Sequence, residues 1–323
     1  MTDVTGIAKK IIKNVEQVIV GKRQQLILSL ASWFSEGHIL LEDVPGVAKT
    51  MLARALSGSV GCSFKRIQCT PDLLPTDVTG ASVFNPQTTE FEFRSGPIFA
   101  QLVLADEINR ATPRTQSALL EAMGEGSVTV DGVTHELNPP FLVIATQNPI
   151  DHEGTFPLPE AQLDRFMFNV IVDYPTADEE SLIIKQVTGT YEGEVETVLS
   201  GEDVVRLQGI VHRVPAADHV IDYARDLARI SRPAAEGAPD FVQEMVAWGA
   251  GPRAGIYLIL AAKARAILHG RYHATTEDVT AVALPVMRHR VFTTFNAEAA
   301  GVTSDDVVRM LIEHVQPQES VSV

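Results

Sequence analysis

From His38 to Thr50 the chain reads His-Ile-Leu-Leu-Glu-Asp-Val-Pro-Gly-Val-Ala-Lys-Thr, a short apolar run that passes through a tight loop into a helical stretch. Backbone N–H groups around Gly46, at the N-terminus of the following helix, suit the oxygens of a phosphate chain. Lys49 carries an ammonium that reaches β- and γ-phosphates, and the Thr50 hydroxyl is a hard oxygen ligand for Mg²⁺. The candidate phosphate-binding residues are therefore Asp43, Val44, Pro45, Gly46, Val47, Ala48, Lys49 and Thr50, with Met51 behind them. The segment departs from the G-x-x-x-x-G-K-[ST] pattern twice, with Asp43 in the first glycine position and Ala48 in the second. Its plainer counterpart is a simple strand-to-helix turn.

A second segment, Leu102-Val-Leu-Ala-Asp-Glu-Ile108, is an apolar run ending in two adjacent carboxylates. At the carboxyl edge of a strand, Asp106 suits the Mg²⁺ water shell and Glu107 the polarisation of an attacking water. Without the first segment, the pair reads as a solvated turn. A third run, Phe141 to Thr146, delivers Gln147-Asn148-Pro149 to the same edge, where the Asn148 amide is placed to align that water. His152 follows without a second His, Cys or carboxylate at ligand spacing and reads as a loop residue.

These groups converge only if the runs that carry them are neighbouring strands. Between Gly37 and Pro175, short apolar runs (His38–Leu41, Phe64–Gln68, Leu102–Ala105, Phe141–Thr146, Phe168–Val172) alternate with helical stretches. That is the pattern of a parallel sheet with crossover helices, and the runs show little polar alternation, as strands buried on both faces should. Two segments interrupt it. Ser127 to Leu137 alternates around Asp131-Gly132, a hairpin turn signal, and Ser82 to Arg94 reads as a second hairpin or loop around Asn85-Pro86. Beyond Pro175, apolar residues recur at helical spacing in Ser181–Val187, Val204–Val211, Val220–Ile230, Ala254–Leu268 and Val302–His314, with Thr275 and Asp278 as a capping box. The expected fold is an α/β P-loop core over residues 1–175, with inserts near 82–94 and 127–137, followed by an all-α lid over residues 176–323.

Composition narrows the function. The chain has 323 residues and a formal net charge of −15, which disfavours broad electrostatic capture of nucleic acid or an anionic membrane. Two cysteines, Cys62 and Cys69, make neither a disulfide framework nor a zinc cage, and a reducing compartment fits them best. The first residues mix Asp3 with three lysines and lack a signal-peptide apolar region. No stretch matches a membrane span, so the expected location is the cytoplasm.

Together, Asp43 to Thr50, Asp106-Glu-Ile-Asn-Arg110, Ala145-Thr-Gln-Asn-Pro149 and Leu158-Pro-Glu-Ala-Gln-Leu-Asp-Arg-Phe166 resemble the MoxR family of AAA+ ATPases over most of the chain. In that family a Pro-Gly-x-Ala-Lys-Thr loop is common, which accommodates Ala48. The resemblance implies ATP and Mg²⁺ as ligands, with Asn148 as the sensor 1 amide, Arg253 of Gly251-Pro-Arg-Ala254 as the sensor 2 arginine, and Arg165 as an arginine finger. It also implies that Val18-Ile-Val-Gly21 lies against the adenine, through Val20 and Gly21, and that the two inserts are the helix 2 insert and the pre-sensor 1 hairpin.

Each assignment has a plainer counterpart. Arg165 can pair with Asp164 or Glu160, Arg253 can be a surface residue at a helix start, and Val20 and Gly21 can close a packed helix end. Arg110 and Arg114 either reach across a subunit interface or are solvated.

In function, the resemblance implies a homo-oligomeric, hexameric ring that hydrolyses ATP to remodel or mature a client, with a von Willebrand factor A domain protein as partner. Cofactor or metal insertion is among the family's roles. Two rivals are a DNA-handling AAA+ motor and a nucleotide-dependent scaffold with little hydrolysis. The acidity and the lack of a basic, aromatic-interleaved stripe oppose the first, and Glu107 opposes the second.

Overall fold

The computed structural model describes residues 4–43, 49–148, 154–189 and 193–315. Five strands, β1 (Ile39–Asp43), β2 (Phe64–Gln68), β3 (Leu102–Asp106), β4 (Leu142–Gln147) and β5 (Phe168–Val172), form one parallel sheet in the order β2-β3-β4-β1-β5. The lack of alternation in the sequence has a direct cause. Leu102, Leu104, Leu142 and Ile144 enter one buried cluster, while Val103, Ala105, Val143 and Ala145 enter another on the opposite face. On the first face lie α1 (Val4–Val15), α2 (Arg23–Phe34) and α3 (Lys49–Ser59); α4 (Pro113–Glu125) covers the second. Pro113 opens α4 and Gly126, in left-handed backbone at φ 64, closes it, placing proline and glycine where each stabilises a helix end.

Both expected inserts are hairpins. Gly80–Asn85 pairs antiparallel with Glu90–Ser95, and Ser127–Val130 pairs with Val133–Glu136 around Asp131 and Gly132, at φ 50 and φ 79. Two consecutive residues with positive φ are what a type I′ turn requires. The hairpins touch through a stack of Phe93 on His135, with ring centroids 3.9 Å apart. At the tip of the first, Phe84 and Phe91 form an exposed edge-to-face pair.

After β5 the chain is helical: α5 (Ala177–Thr188), α6 (Gly201–Arg213), α7 (Asp218–Ile230), α8 (Pro252–Leu268), α9 (Thr276–Met287) and α10 (Ser304–His314). Four of these start at a reciprocal capping box, Thr176 with Glu179, Ser200 with Asp203, Thr275 with Asp278 and Thr303 with Asp306. The helical half also holds a short antiparallel pair, Val246–Trp248 with Phe292–Thr293, that periodicity does not reveal. Two or three residues are too few to show alternation, and the partners are distant in sequence. No helix among the described residues is long and apolar enough to cross a membrane.

His38 anchors the entry to β1. Its Nδ1 accepts the Val143 N–H at 3.0 Å, so Nε2 carries the proton toward the Met123 carbonyl at 3.1 Å. The ring is buried and neutral; burial pushes its pKa down to about 4 from the ordinary 6.5, partly countered by the Met123 bond. A histidine with a depressed folded-state pKa contributes stability above its unfolded value, and that contribution is lost as pH falls toward the folded one. Lowering the pH from 7 to 5 should therefore cost about 2 kcal/mol through this ring, read by urea unfolding at each pH. A His38→Gln variant should lose much of that slope, and an unchanged slope would remove His38 as its source.

Candidate active site

The strand order sets the carboxyl ends of β3, β4 and β1 side by side, the edge at which parallel α/β sheets bind ligands. Pairing of Ala105 with Ala145 brings Thr146 next to Asp106. The Thr146 hydroxyl donates to Asp106 Oδ1 at 2.8 Å and accepts the Glu107 N–H at 2.8 Å. Glu107 leaves the strand in left-handed backbone, φ 57, which disfavours a residue with a β-carbon by roughly 1 kcal/mol. The bond from Thr146 offsets part of that cost and fixes both acids relative to β4.

Asp106 is buried and ringed by cations. Lys49 Nζ lies 3.9 Å from Oδ1, while Arg66 in the middle of β2 places Nε 3.0 Å and Nη2 2.5 Å from Oδ2. Lys49 from one segment and the Asp106-Glu107 pair from another thus meet at one edge. Arg66 and Thr146 complete the group without having been singled out in the sequence. Neighbouring Cys69 is buried and its thiol is pushed up to about 12, first by burial and then by the charges of Asp106 and Glu107, so it is no nucleophile.

Arg110 donates to Glu107 Oε2 at 3.1 Å, an intrachain pair at the protein surface. Glu42 in β1 accepts from Gln147 at 2.8 Å and from Asn169 at 2.6 Å, tying β1, β4 and β5 together beside the loop. Asn148 follows Gln147 directly and is half-buried. Val44, Pro45, Gly46, Val47 and Ala48 lie outside the described residues, as do His152 and the side chain of Asp43.

An open cleft of about 870 Å³ runs along α3, lined by Thr50, Met51, Arg54, Phe64, Arg66 and Val18. Val18 is the residue of Val18–Gly21 that faces it; Val20 is half-buried, and Gly21, at φ 73, would bring a β-carbon within 2.3 Å of the Glu179 carboxylate.

The two distal arginines make their hydrogen bonds with Leu120 and Asp164 and, among the described residues, none with Asp106. Arg165 extends along α4 and donates to the Leu120 carbonyl at 2.6 Å, instead of pairing with Asp164 or Glu160. A β-carbon at Gly124 would come within 2.6 Å of the same guanidinium, so that glycine leaves it room. Arg253, at the start of α8, pairs with Asp164 at 2.9 Å.

The residues fit Mg²⁺. Asp106 and Thr50 offer hard oxygen donors, of which Asp106 Oδ2 is taken by Arg66 and Oδ1 faces Thr146 and Lys49. No cluster of three or more His, Cys, Asp or Glu side chains suited to a metal occurs among the described residues. Mg²⁺ needs none, since it is commonly held by one or two carboxylates with waters and substrate phosphates.

A family model described as "ATPase family associated with various cellular activities (AAA)" matches residues 38–168, and one described as "AAA lid domain" matches residues 240–311. The chain is 46% identical to "Uncharacterized protein YeaC" of Bacillus subtilis, over 97% of this chain and 96% of that protein. It is 41% identical to "Chaperone MoxR1" of Mycobacterium tuberculosis, over 95% of this chain and 81% of that one. A crystal structure of a protein from Cytophaga hutchinsonii superposes with a TM-score of 0.91 at 36% identity, covering 98% of this chain and 96% of that one.

Proposed function

Because the chain belongs to the MoxR family of AAA+ ATPases, we propose that it hydrolyses MgATP within a homo-oligomeric ring and uses the motion to remodel or mature a partner protein. The observation that carries this reading is the meeting of Lys49, the Asp106-Glu107 pair and Thr146, from three segments far apart in sequence. In it, residues 1–175 are the nucleotide unit and residues 176–323 the lid.

Lys49 binds the β- and γ-phosphates, and the backbone of Asp43–Ala48 cradles the rest. Thr50 and Asp106 would hold Mg²⁺, which would neutralise charge on the phosphates. Glu107 takes a proton from the attacking water, and Asn148 orients that water. Arg110 must release the Glu107 carboxylate for this step, because a base paired to a guanidinium is the weaker acceptor. Arg253 acts as sensor 2 on the chain's own nucleotide. Arg165 is held on α4 through the Leu120 carbonyl and makes no bond to its own Asp106, which suits a finger supplied to the neighbouring subunit.

The ring is a hexamer in this reading, working in the cytoplasm with a von Willebrand factor A domain partner. The exposed Phe84 and Phe91 pair belongs to the inserts that would touch the client, and cofactor or metal insertion is one outcome of that work.

Phosphate release from MgATP, measured per chain across a range of protein concentrations, tests the proposal. The rate per chain should rise about tenfold or more as subunits assemble and fingers engage. A rate that is measurable but independent of concentration would overturn the trans-acting finger, and none at any concentration would overturn hydrolysis.

A further inference from the structure

Four consecutive backbone carbonyls, those of Asp164, Arg165, Phe166 and Met167, all accept hydrogen bonds from side chains of the helical half. Arg290 Nη2 reaches the Asp164 oxygen at 2.8 Å and the Phe166 oxygen at 2.6 Å, and Nη1 lies 3.4 Å from the Met167 oxygen. The Tyr257 hydroxyl donates to the Arg165 oxygen at 3.2 Å, and His289 Nε2 lies 3.0 Å from the Phe166 oxygen. The Asp164 carboxylate closes the grip, taking Arg290 Nε on Oδ1 at 2.7 Å and Arg253 Nη1 on Oδ2 at 2.9 Å. The Arg290 guanidinium also lies over the Tyr257 ring, 5.1 Å from its centroid.

Arg290 is only 3% exposed. Burying a guanidinium costs several kcal/mol unless its donors are matched, and Arg290 spends most of its N–H groups on residues 164–167 while Nη1 also donates to the Val286 carbonyl at the end of α9, so it ties that run to α9. Residues 164–167 contain Arg165. The side chain of Arg165 itself rests on α4, but its main chain is fastened at every carbonyl around it to α8 and to the segment after α9.

We propose that Asp164, with Arg290 and Tyr257, is a positioning device that couples the finger Arg165 to the lid, although the segment also joins the sheet through the Met167 N–H on the His38 carbonyl. This rests on the reading of Arg165 as a trans-acting finger and of Arg253 as a sensor of the chain's own nucleotide. Arg253 has two acidic destinations in that reading, since its guanidinium is held by Asp164 here and is drawn to a γ-phosphate when ATP is bound. Its departure removes one of the two cations on Asp164 and loosens the grip on the finger segment. The state of one subunit's nucleotide thereby sets how its finger is presented to the next subunit.

The test mixes subunits. Asp164→Asn keeps a polar side chain of the same shape but removes the charge that Arg253 and Arg290 share. It should hold MgATP within about threefold of wild type, by fluorescent-analogue titration, while steady-state hydrolysis falls about tenfold or more. Lys49→Ala subunits, which offer an intact finger, should restore several-fold activity when mixed in. Tyr257→Phe, which removes one bond and leaves the buried charges paired, should show the same pattern at about two- to fivefold and decides the matter should Asp164→Asn not fold. Hydrolysis by folded Asp164→Asn within twofold of wild type overturns the proposal, as does full activity of Tyr257→Phe. Rescue of Arg165→Ala but not of folded Asp164→Asn by Lys49→Ala subunits overturns the positioning role and leaves the finger standing. Failure to rescue either variant removes the trans-acting finger and the positioning role with it.

Discussion

Lys49→Ala should abolish nucleotide binding, with ATP affinity falling at least about 100-fold while the fold stays intact. In the proposed site the Lys49 ammonium is the one formal cation of Asp43–Thr50, and charge-assisted bonds to phosphate contribute about 1.5–3 kcal/mol each, so two such bonds account for the loss. Stability should change little. The side chain is 3.9 Å from Asp106 Oδ1, at the limit of an ion pair, and its removal leaves that carboxylate with Thr146 and both nitrogens of Arg66. Isothermal titration with ATP and Mg²⁺, alongside a urea melt, separates the two quantities. Undiminished ATP affinity in a folded Lys49→Ala protein would refute the phosphate site, and a large loss of stability would show that Lys49 serves Asp106 more than a ligand.

Why that pocket was legible in the sequence, and its neighbours less so, follows from where each signal resides. Asp106, Glu107 and Asn148 follow closely on apolar runs, Lys49 and Thr50 follow the loop after one, and strands buried on both faces announce themselves by lacking alternation. The Asp131-Gly132 hairpin was legible because two positive φ values need such residues. Arg66 lies in a run, Phe-Lys-Arg-Ile-Gln, that reads only as a strand, and its tie to Asp106 depends on the β2–β3 pairing. Thr146 is likewise an ordinary strand threonine until the β3–β4 register puts it beside the acids. A buried hydroxyl one residue before Gln147-Asn148 was the available hint.

The helical half shows the same divide. Capping boxes are local, and the one at Thr275 and Asp278 was visible from residue types alone. Arg290 and Asp164 are 126 residues apart, and no periodicity relates them. The same holds for α1 and α2, whose buried faces join the sheet's first cluster together with α8 and so take their meaning from tertiary packing. Arg165 and Asp164 were natural candidates to be read as an i, i+1 pair, yet adjacent residues rarely face one another. The structure sends one to Leu120 and the other to Arg253 and Arg290.

Glu107→Gln should bind MgATP with near-normal affinity and turn it over about 10² to 10⁴ times more slowly, the usual range for losing a general base. The amide matches the carboxylate in size and cannot take a proton from water. Geometry at the backbone should survive, because the left-handed step at residue 107 is held by its own N–H on Thr146 and not by the side chain. Asp106 keeps Lys49, Arg66 and Thr146, so the charge that would hold Mg²⁺ is unaltered. What changes besides the base is the pair with Arg110, which loses its charge and frees that guanidinium. Single-turnover hydrolysis of labelled ATP, read against titrated affinity, distinguishes the cases. Near-normal turnover would take Glu107 out of the water-activating role. Equal losses of affinity and rate would instead identify the Glu107–Arg110 pair as part of how the nucleotide is held. A slow variant with intact affinity also holds subunits in the ATP-bound state, the state in which assembly and client capture are strongest if ATP favours the ring, so the same protein reports by sedimentation whether the two are linked.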